Sequence, residues 1–112
     1  HHNQKKDSPS GTAEMIGKLL VENIERKEKL VFDKLDRQIK DNEIHLASVR
    51  GGSIPGTHSV MFDNLADTIE LKHTARSRQG FALGAVLAAE FIESKTGFHD
   101  INDLMNNIIK GD

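Results

Sequence analysis

The sequence has no cysteine, no tryptophan and no tyrosine, and its 112 residues include only two prolines and five aromatic side chains, all phenylalanine. Without cysteine there is neither a disulfide framework nor a thiolate metal site, which fits a reducing compartment, and the cytoplasm is the expected location. Neither sign of charge dominates: 15 Lys and Arg stand against 17 Asp and Glu, a formal net charge of −2. Nucleic acid and anionic membrane surfaces require a broad positive field and are not expected partners. Long apolar runs are missing as well. The longest stretch free of charged or strongly polar side chains, 81–89, is nine residues, against about 20 for a bilayer span. No segment is expected to cross a membrane. The chain opens on His1-His2 with no initiator methionine and reads as part of a longer protein.

What is present suffices for one small domain. Hydrophobic residues make up 37% of the chain, and a chain of this size buries roughly 65% of its unfolded surface, enough for one modest core. Residues 1–10, HHNQKKDSPS, are polar, and Pro9 disfavours helix at Ser8, so a loop is expected. From Gly11 the spacing turns helical. Ala13, Ile16, Leu20 and Ile24 recur in steps of three and four, with Leu19 beside them, which predicts a helix over 11–29. Ser10 is the expected N-cap, because its hydroxyl can accept from an orphaned amide of the first turn. Gly17 inside this helix costs about 1 kcal/mol relative to alanine and is expected to mark a close packing contact.

Residues 25–43 are rich in charge, with Leu30, Phe32, Leu35 and Ile39 scattered among them; helix, loop and extended arm all remain open. Three strand segments follow, 44–49, 57–62 and 68–74, separated by GGSIPG and DNLAD, and are expected to form a mostly antiparallel meander. In the third, Ile69, Leu71, His73 and Ala75 share one face, expected to meet the core. Residues 77–94 return to a helical pattern in which many small side chains permit close approach of another element. A turn, FHDIND, leads to a last short helix that Asp100 or Asn102 can cap. Helix, then sheet, then helix is the α+β class.

The segment with chemical content is 1–12. His1, His2, Lys5 and Lys6 precede a helix start of Ser10-Gly11-Thr12. A helix N-terminus exposes amide hydrogens and carries about half a positive charge, which suits a carboxylate or phosphate. Gly11 lets an anion approach the backbone, and the Thr12 hydroxyl adds a donor. Hydrogen bonds to a charged group contribute roughly 1.5–3 kcal/mol each. A small anion is the expected ligand.

The whole phrase HHNQKKDSPSGTA resembles the signature of the dihydrodipicolinate reductase family, H-H-x-x-K-x-D-x-P-S-G-T-A, with every fixed position filled. The resemblance continues through RGGSIPGTHSVMF at 50–62, similar to the family's strand pair with its R-x-G and G-x-H-x-x-x-F elements. It extends through HTARSRQGFALGAV at 73–86, similar to H-x-A-x-S-R-x-x-F-A-x-G-A. It covers nearly the whole chain except 25–43.

The resemblance implies a two-domain oxidoreductase of diaminopimelate and lysine synthesis that passes hydride from NADPH or NADH to a cyclic dipicolinate-type imine. It implies that 1–78 is the substrate-binding and oligomerisation domain, built on an open mixed sheet that packs with its counterparts in a homotetramer. Residues 79–112 are then a C-terminal helical segment returning to a nucleotide-binding domain outside this chain. Carried over by motif, Lys5 falls on the general acid and His1 on a histidine that assists proton delivery or stabilises developing charge. His2, Lys5, Gly11 and Thr12 fall on substrate-contacting positions. Lys6 stands where the family more often has an apolar residue. Arg78, Phe81 and Gly84 match the stretch where the chain leaves the substrate domain, so Arg78 is a hinge or cofactor-cleft residue by the same resemblance.

No cofactor is expected on this chain by itself, and the fragment alone is expected to be inactive. GGSIPG leads into a strand segment and not a helix, so it is no dinucleotide fingerprint. The basic run Lys72, His73, Arg76 and Arg78 has no aromatic within it, which argues against nucleic acid. His45, His58, His73 and His99 show neither HExxH nor paired spacing, and no metal site is expected; His58 reads as a structural or interface histidine. With a nucleotide domain absent, the helix over 77–94 is expected to expose an apolar stripe or lend it to a neighbouring chain. Two other readings fit the residues: a stand-alone module that binds small dicarboxylates without chemistry, and an assembly domain whose opening loop is only a cap.

Overall fold

The computed structural model describes residues 1–32 and 34–111. Asp33, within the charged stretch left open above, and Asp112, at the end of the C-terminal segment, lie outside the described residues. The elements run α1 (Gly11–Asn23), β1 (Lys29–Phe32), β2 (Glu43–Leu46), β3 (Gly56–Asp63), β4 (Thr68–Ala75), α2 (Gln79–Ile92) and α3 (Ile101–Lys110). They fall into two compact units, 1–76 and 77–112.

In the first unit, α1 begins where the cap predicts: the Ala13 N–H donates to Ser10 Oγ at 3.1 Å. It ends at Asn23, short of the expected residue 29. Ile24 turns extended, and the Glu28 and Lys29 amides donate to Asn42 O, so strand pairing takes over the main chain where helix was expected. The charged stretch thereby acquires β1, which runs parallel to β2 with Leu30 opposite Ile44 and Phe32 opposite Leu46. α1 packs on this pair through Gly17. The link between the two strands is fastened by charge: Arg37 donates to both Glu43 carboxylate oxygens, and Lys27 Nζ donates to the carbonyls of Asp41 and Glu43.

β3 and β4 form an antiparallel hairpin with His58 opposite His73, Val60 opposite Leu71 and Phe62 opposite Ile69. Its turn is held by Asn64, whose side-chain oxygen accepts from the amides of Ala66 and Asp67, a local bond typical of asparagine in turns. The strands therefore form two separate two-stranded sheets, one parallel and one antiparallel, and not a three-stranded meander. The reason lies in the main chain after β2. One edge of β2 is taken by β1, and the following stretch is occupied by the opening tripeptide: the His1 nitrogen donates to Val49 O, Gly51 N–H to His1 O, and Asn3 N–H to Gly52 O. Gly52 turns there with φ of 53°, a conformation open to glycine.

The β4 face carrying Ile69, Leu71 and His73, expected to meet the core, is instead exposed. Ile69 and Leu71 are 59% and 62% exposed, while α1 packs on β1 and β2. Among the described residues, Leu104 is the only buried hydrophobic side chain. It belongs to the second unit, where α2 and α3 pack together. α3 starts on a capping box: Asp100 accepts from the Asn102 and Asp103 amides, and Asp103 accepts from the Asp100 amide. Phe91 receives the His99 ring edge-on and carries Lys95 Nζ 4.7 Å from its centroid.

Candidate functional site

The opening loop feeds directly into α1, and its residues divide into two groups. His1 belongs to the first. Its ring stands edge-on to His58 with centroids 5.1 Å apart, and it fits against Gly56, where an added Cβ would lie 3.2 Å from His1 Nε2. His58 Nε2 lies 3.2 Å from Ser10 Oγ, and Ser10 is 5% exposed. His58 is held below the ordinary imidazole value, chiefly by burial and then by the charge of His73, with the chain's amino group and Lys5 adding to the effect.

Lys5 forms the second group. Its Nζ lies 2.9 Å from Asp7 Oδ1, and its side chain is 22% exposed. This pairing is the first cause that holds Asp7 below its usual carboxylate range. The Arg50 guanidinium donates to the Asp7 carbonyl and ties the loop to the segment after β2. His2 supports the same turn: its Nδ1 accepts from the Gln4 amide, and its carbonyl accepts from the Lys5 amide. Lys6 is exposed.

Gly11 and Thr12 are exposed at the helix start. Ser10 takes only the Ala13 amide, and among the described residues no protein group accepts from the amides of Gly11 or Thr12. No hydrogen bond or ion pair joins Lys5 to Gly11 or Thr12. A cavity of about 460 Å³ lies between α1, β2 and β3; His1, Ser10, Gly17, Leu46, Arg50 and His58 are among its lining residues. His2, Lys5, Gly11 and Thr12 lie outside that lining. Arg78 sits at the start of α2, in the second unit, without a side-chain cap bond.

Sequence reasoning missed the link from His58 to Ser10 and His1, and the role of Gly56 as room for the His1 ring. The signal was faint: both residues stand in the G-x-H element of the family pattern, with nothing to say that they face the loop. A nicotinamide dinucleotide needs a glycine-rich turn that leads from a strand into a helix. Here GGSIPG leads into β3, and α1 follows a loop. The residues present do not fit that group. Among the described residues no cluster of three metal-ligating side chains occurs, and no helix is long and apolar enough to cross a membrane.

Three helices and two small sheets, one parallel and one antiparallel, place the chain in the α+β class. The family model described as "Dihydrodipicolinate reductase, C-terminus" matches residues 1–105. A relative from Christiangramia forsetii, named 4-hydroxy-tetrahydrodipicolinate reductase, is 42% identical over 110 residues, covering 98% of this chain and 44% of its own length. Relatives of the same name from Clostridium novyi and Aquifex aeolicus are 45% and 42% identical, covering 96% and 94% of this chain and 43% and 40% of their own lengths. The chain thus spans about two fifths of the length of these relatives. It belongs to the dihydrodipicolinate reductase family, in the part that the family model describes as the C-terminus.

Proposed function

We propose that this chain is the substrate-binding and oligomerisation part of a 4-hydroxy-tetrahydrodipicolinate reductase. Residues 1–78 serve as that domain, and 79–112 as the helical segment that returns to a nucleotide-binding domain. The reaction is reduction of a cyclic dipicolinate-type imine with NADPH or NADH in diaminopimelate and lysine synthesis, carried out in the cytoplasm by a homotetramer. Family membership supports the reaction class. The observation that carries the site is the open start of α1, where two exposed amides lack an acceptor beside a loop rich in cations.

A ring with two carboxylates has two kinds of partner here. The amides of Gly11 and Thr12, with the Thr12 hydroxyl, suit one carboxylate and gain from the helix dipole. His2 and Lys5 suit the other. A carboxylate that reaches Lys5 replaces Asp7, so the ammonium exchanges one anion for another and is never desolvated alone. As the ring is reduced it acquires negative charge, and Lys5 Nζ supplies the compensating proton. His1 assists that delivery or stabilises the developing charge. General acid assistance of this kind is typically worth about 10²–10⁴-fold. Arg78 serves as a hinge or cofactor-cleft residue, a role that rests on the family resemblance alone.

Titration calorimetry with pyridine-2,6-dicarboxylate tests the site. The wild-type chain binds it, and Thr12→Val weakens binding by about tenfold, the loss of one hydrogen bond to a charged group. Equal affinities for the two proteins would remove the site. The chain alone, supplied with either reduced cofactor and the imine, turns nothing over.

A further inference from the structure

Besides its main-chain bonds to 49–52 and the Arg50 contact with Asp7, the segment 1–12 meets one imidazole, on a strand far from it in sequence. Ser10 Oγ sits between two partners, the Ala13 amide at 3.1 Å and His58 Nε2 at 3.2 Å. An amide can only donate, so Ser10 Oγ accepts from Ala13 and has its own proton to give. His58 Nε2 takes that proton when the ring carries its hydrogen on Nδ1. The His58 ring also meets His1 edge-on, with planes at 71°. His58 therefore touches both the helix start and the first histidine of the signature.

We propose that His58 is a positioning residue of the dicarboxylate site: through Ser10 it fixes the α1 start with its Gly11 and Thr12 amides, and through ring contact it sets the plane of His1. This rests on the reading of 1–12 given above and says what keeps its parts in register. Protonation reverses the arrangement. Nε2 becomes a donor, Ser10 Oγ then receives two N–H groups, and its own proton must find another acceptor in a nearly closed setting. The groups that face His58 are His73 across the hairpin, His1 with its amino group, and Lys5, all cationic or able to become so. They and burial favour the neutral ring, so the linkage is intact at neutral pH and weakens as the medium turns acidic.

Nitrogen-15 NMR of the whole 112-residue chain tests the linkage without ligand. The His58 ring is expected as the Nδ1–H tautomer, and the Gly11, Thr12 and Ala13 amide shifts are expected to titrate with the midpoint of His58. That titration disappears in His58→Gln, whose side-chain oxygen can stand in for Nε2. In calorimetry, His58→Leu weakens pyridine-2,6-dicarboxylate binding by about tenfold while His58→Gln stays within about threefold of wild type. Amide shifts that ignore His58, or Leu and Gln variants with equal affinity, overturn the proposal. If His58→Leu does not fold, the titration comparison between wild type and His58→Gln decides. A wild-type chain that fails to bind the dicarboxylate refutes the site reading, and the ligand-free titration then still decides whether His58 governs the α1 start.

Discussion

Glu43 is a charged side chain at only 6% exposure, and its anion is fully engaged: both oxygens accept from Arg37, at 2.8 and 2.7 Å, and one accepts from the Lys40 amide. Those bonds, Arg37 first, lower its pKa from the ordinary 4.5 to about 2. The folded value lies below the unfolded one, so the stability it contributes is complete above about pH 4.5 and is lost as pH falls toward 2. Glu43→Gln should therefore be less stable than wild type at pH 7, with urea midpoints that converge as the medium approaches pH 2. A constant gap across that window would mean that the pair does not stabilise through charge. The two neighbouring lysines differ in setting in the same way that charge and burial differ. Lys5 is partly buried and paired with Asp7, whereas Lys6 is exposed. In a reductase containing this chain, Lys5→Ala should lower kcat by about 10²-fold or more, as loss of a general acid does, and Lys6→Ala far less. The reverse ranking in steady-state kinetics would transfer the proton donor to Lys6.

At the scale of elements, α1 reaches the parallel pair through a glycine. A Cβ at Gly17 would lie 3.0 and 3.1 Å from the two Leu30 methyls and 3.3 Å from a Leu46 methyl. Alanine gains about 1 kcal/mol of helix propensity but overpacks, which costs roughly 1–3 kcal/mol. Gly17→Ala should thus be neutral to destabilising by about 2 kcal/mol in urea unfolding, and Gly17→Val worse; an alanine variant more stable than wild type would show that Leu30 and Leu46 yield freely. The glycine, the Ser10 cap and a cap at Asp100 or Asn102 were all legible in the sequence, because each is a local rule written in neighbouring residues. The parallel pairing of β1 with β2 was not. Its strands are four residues each, too short for periodicity to register, and they pair across a charged link held by Arg37 and Glu43. The site divides likewise. His1 to Thr12 were readable as one contiguous motif, but His58 meets Ser10 across 48 positions, and no spacing rule connects residues so far apart.

At the scale of the whole molecule, the amount of open surface is the governing fact. The chain exposes 9159 Å². Two separate compact bodies with the sizes of its two units would together expose only roughly 7,300 Å². Large apolar side chains are among what is open: Phe62, Ile69 and Leu71 line one face of the β3–β4 hairpin, and Phe81, Leu83, Val86 and Ile92 are exposed on α2. An uncovered apolar face of this extent marks a surface that another body covers. The hairpin face suits a copy of itself, since cross-strand pairs repeat along it and a twofold contact uses one patch twice. Light scattering on the purified chain should therefore find an oligomer. Leu71→Glu places a charge in the middle of the face and should shift the population toward monomer, while Glu70→Gln on the opposite face should leave it unchanged. A wild-type chain that stays monomeric at high concentration would assign the hairpin face to some other partner and would count against the proposed homotetramer.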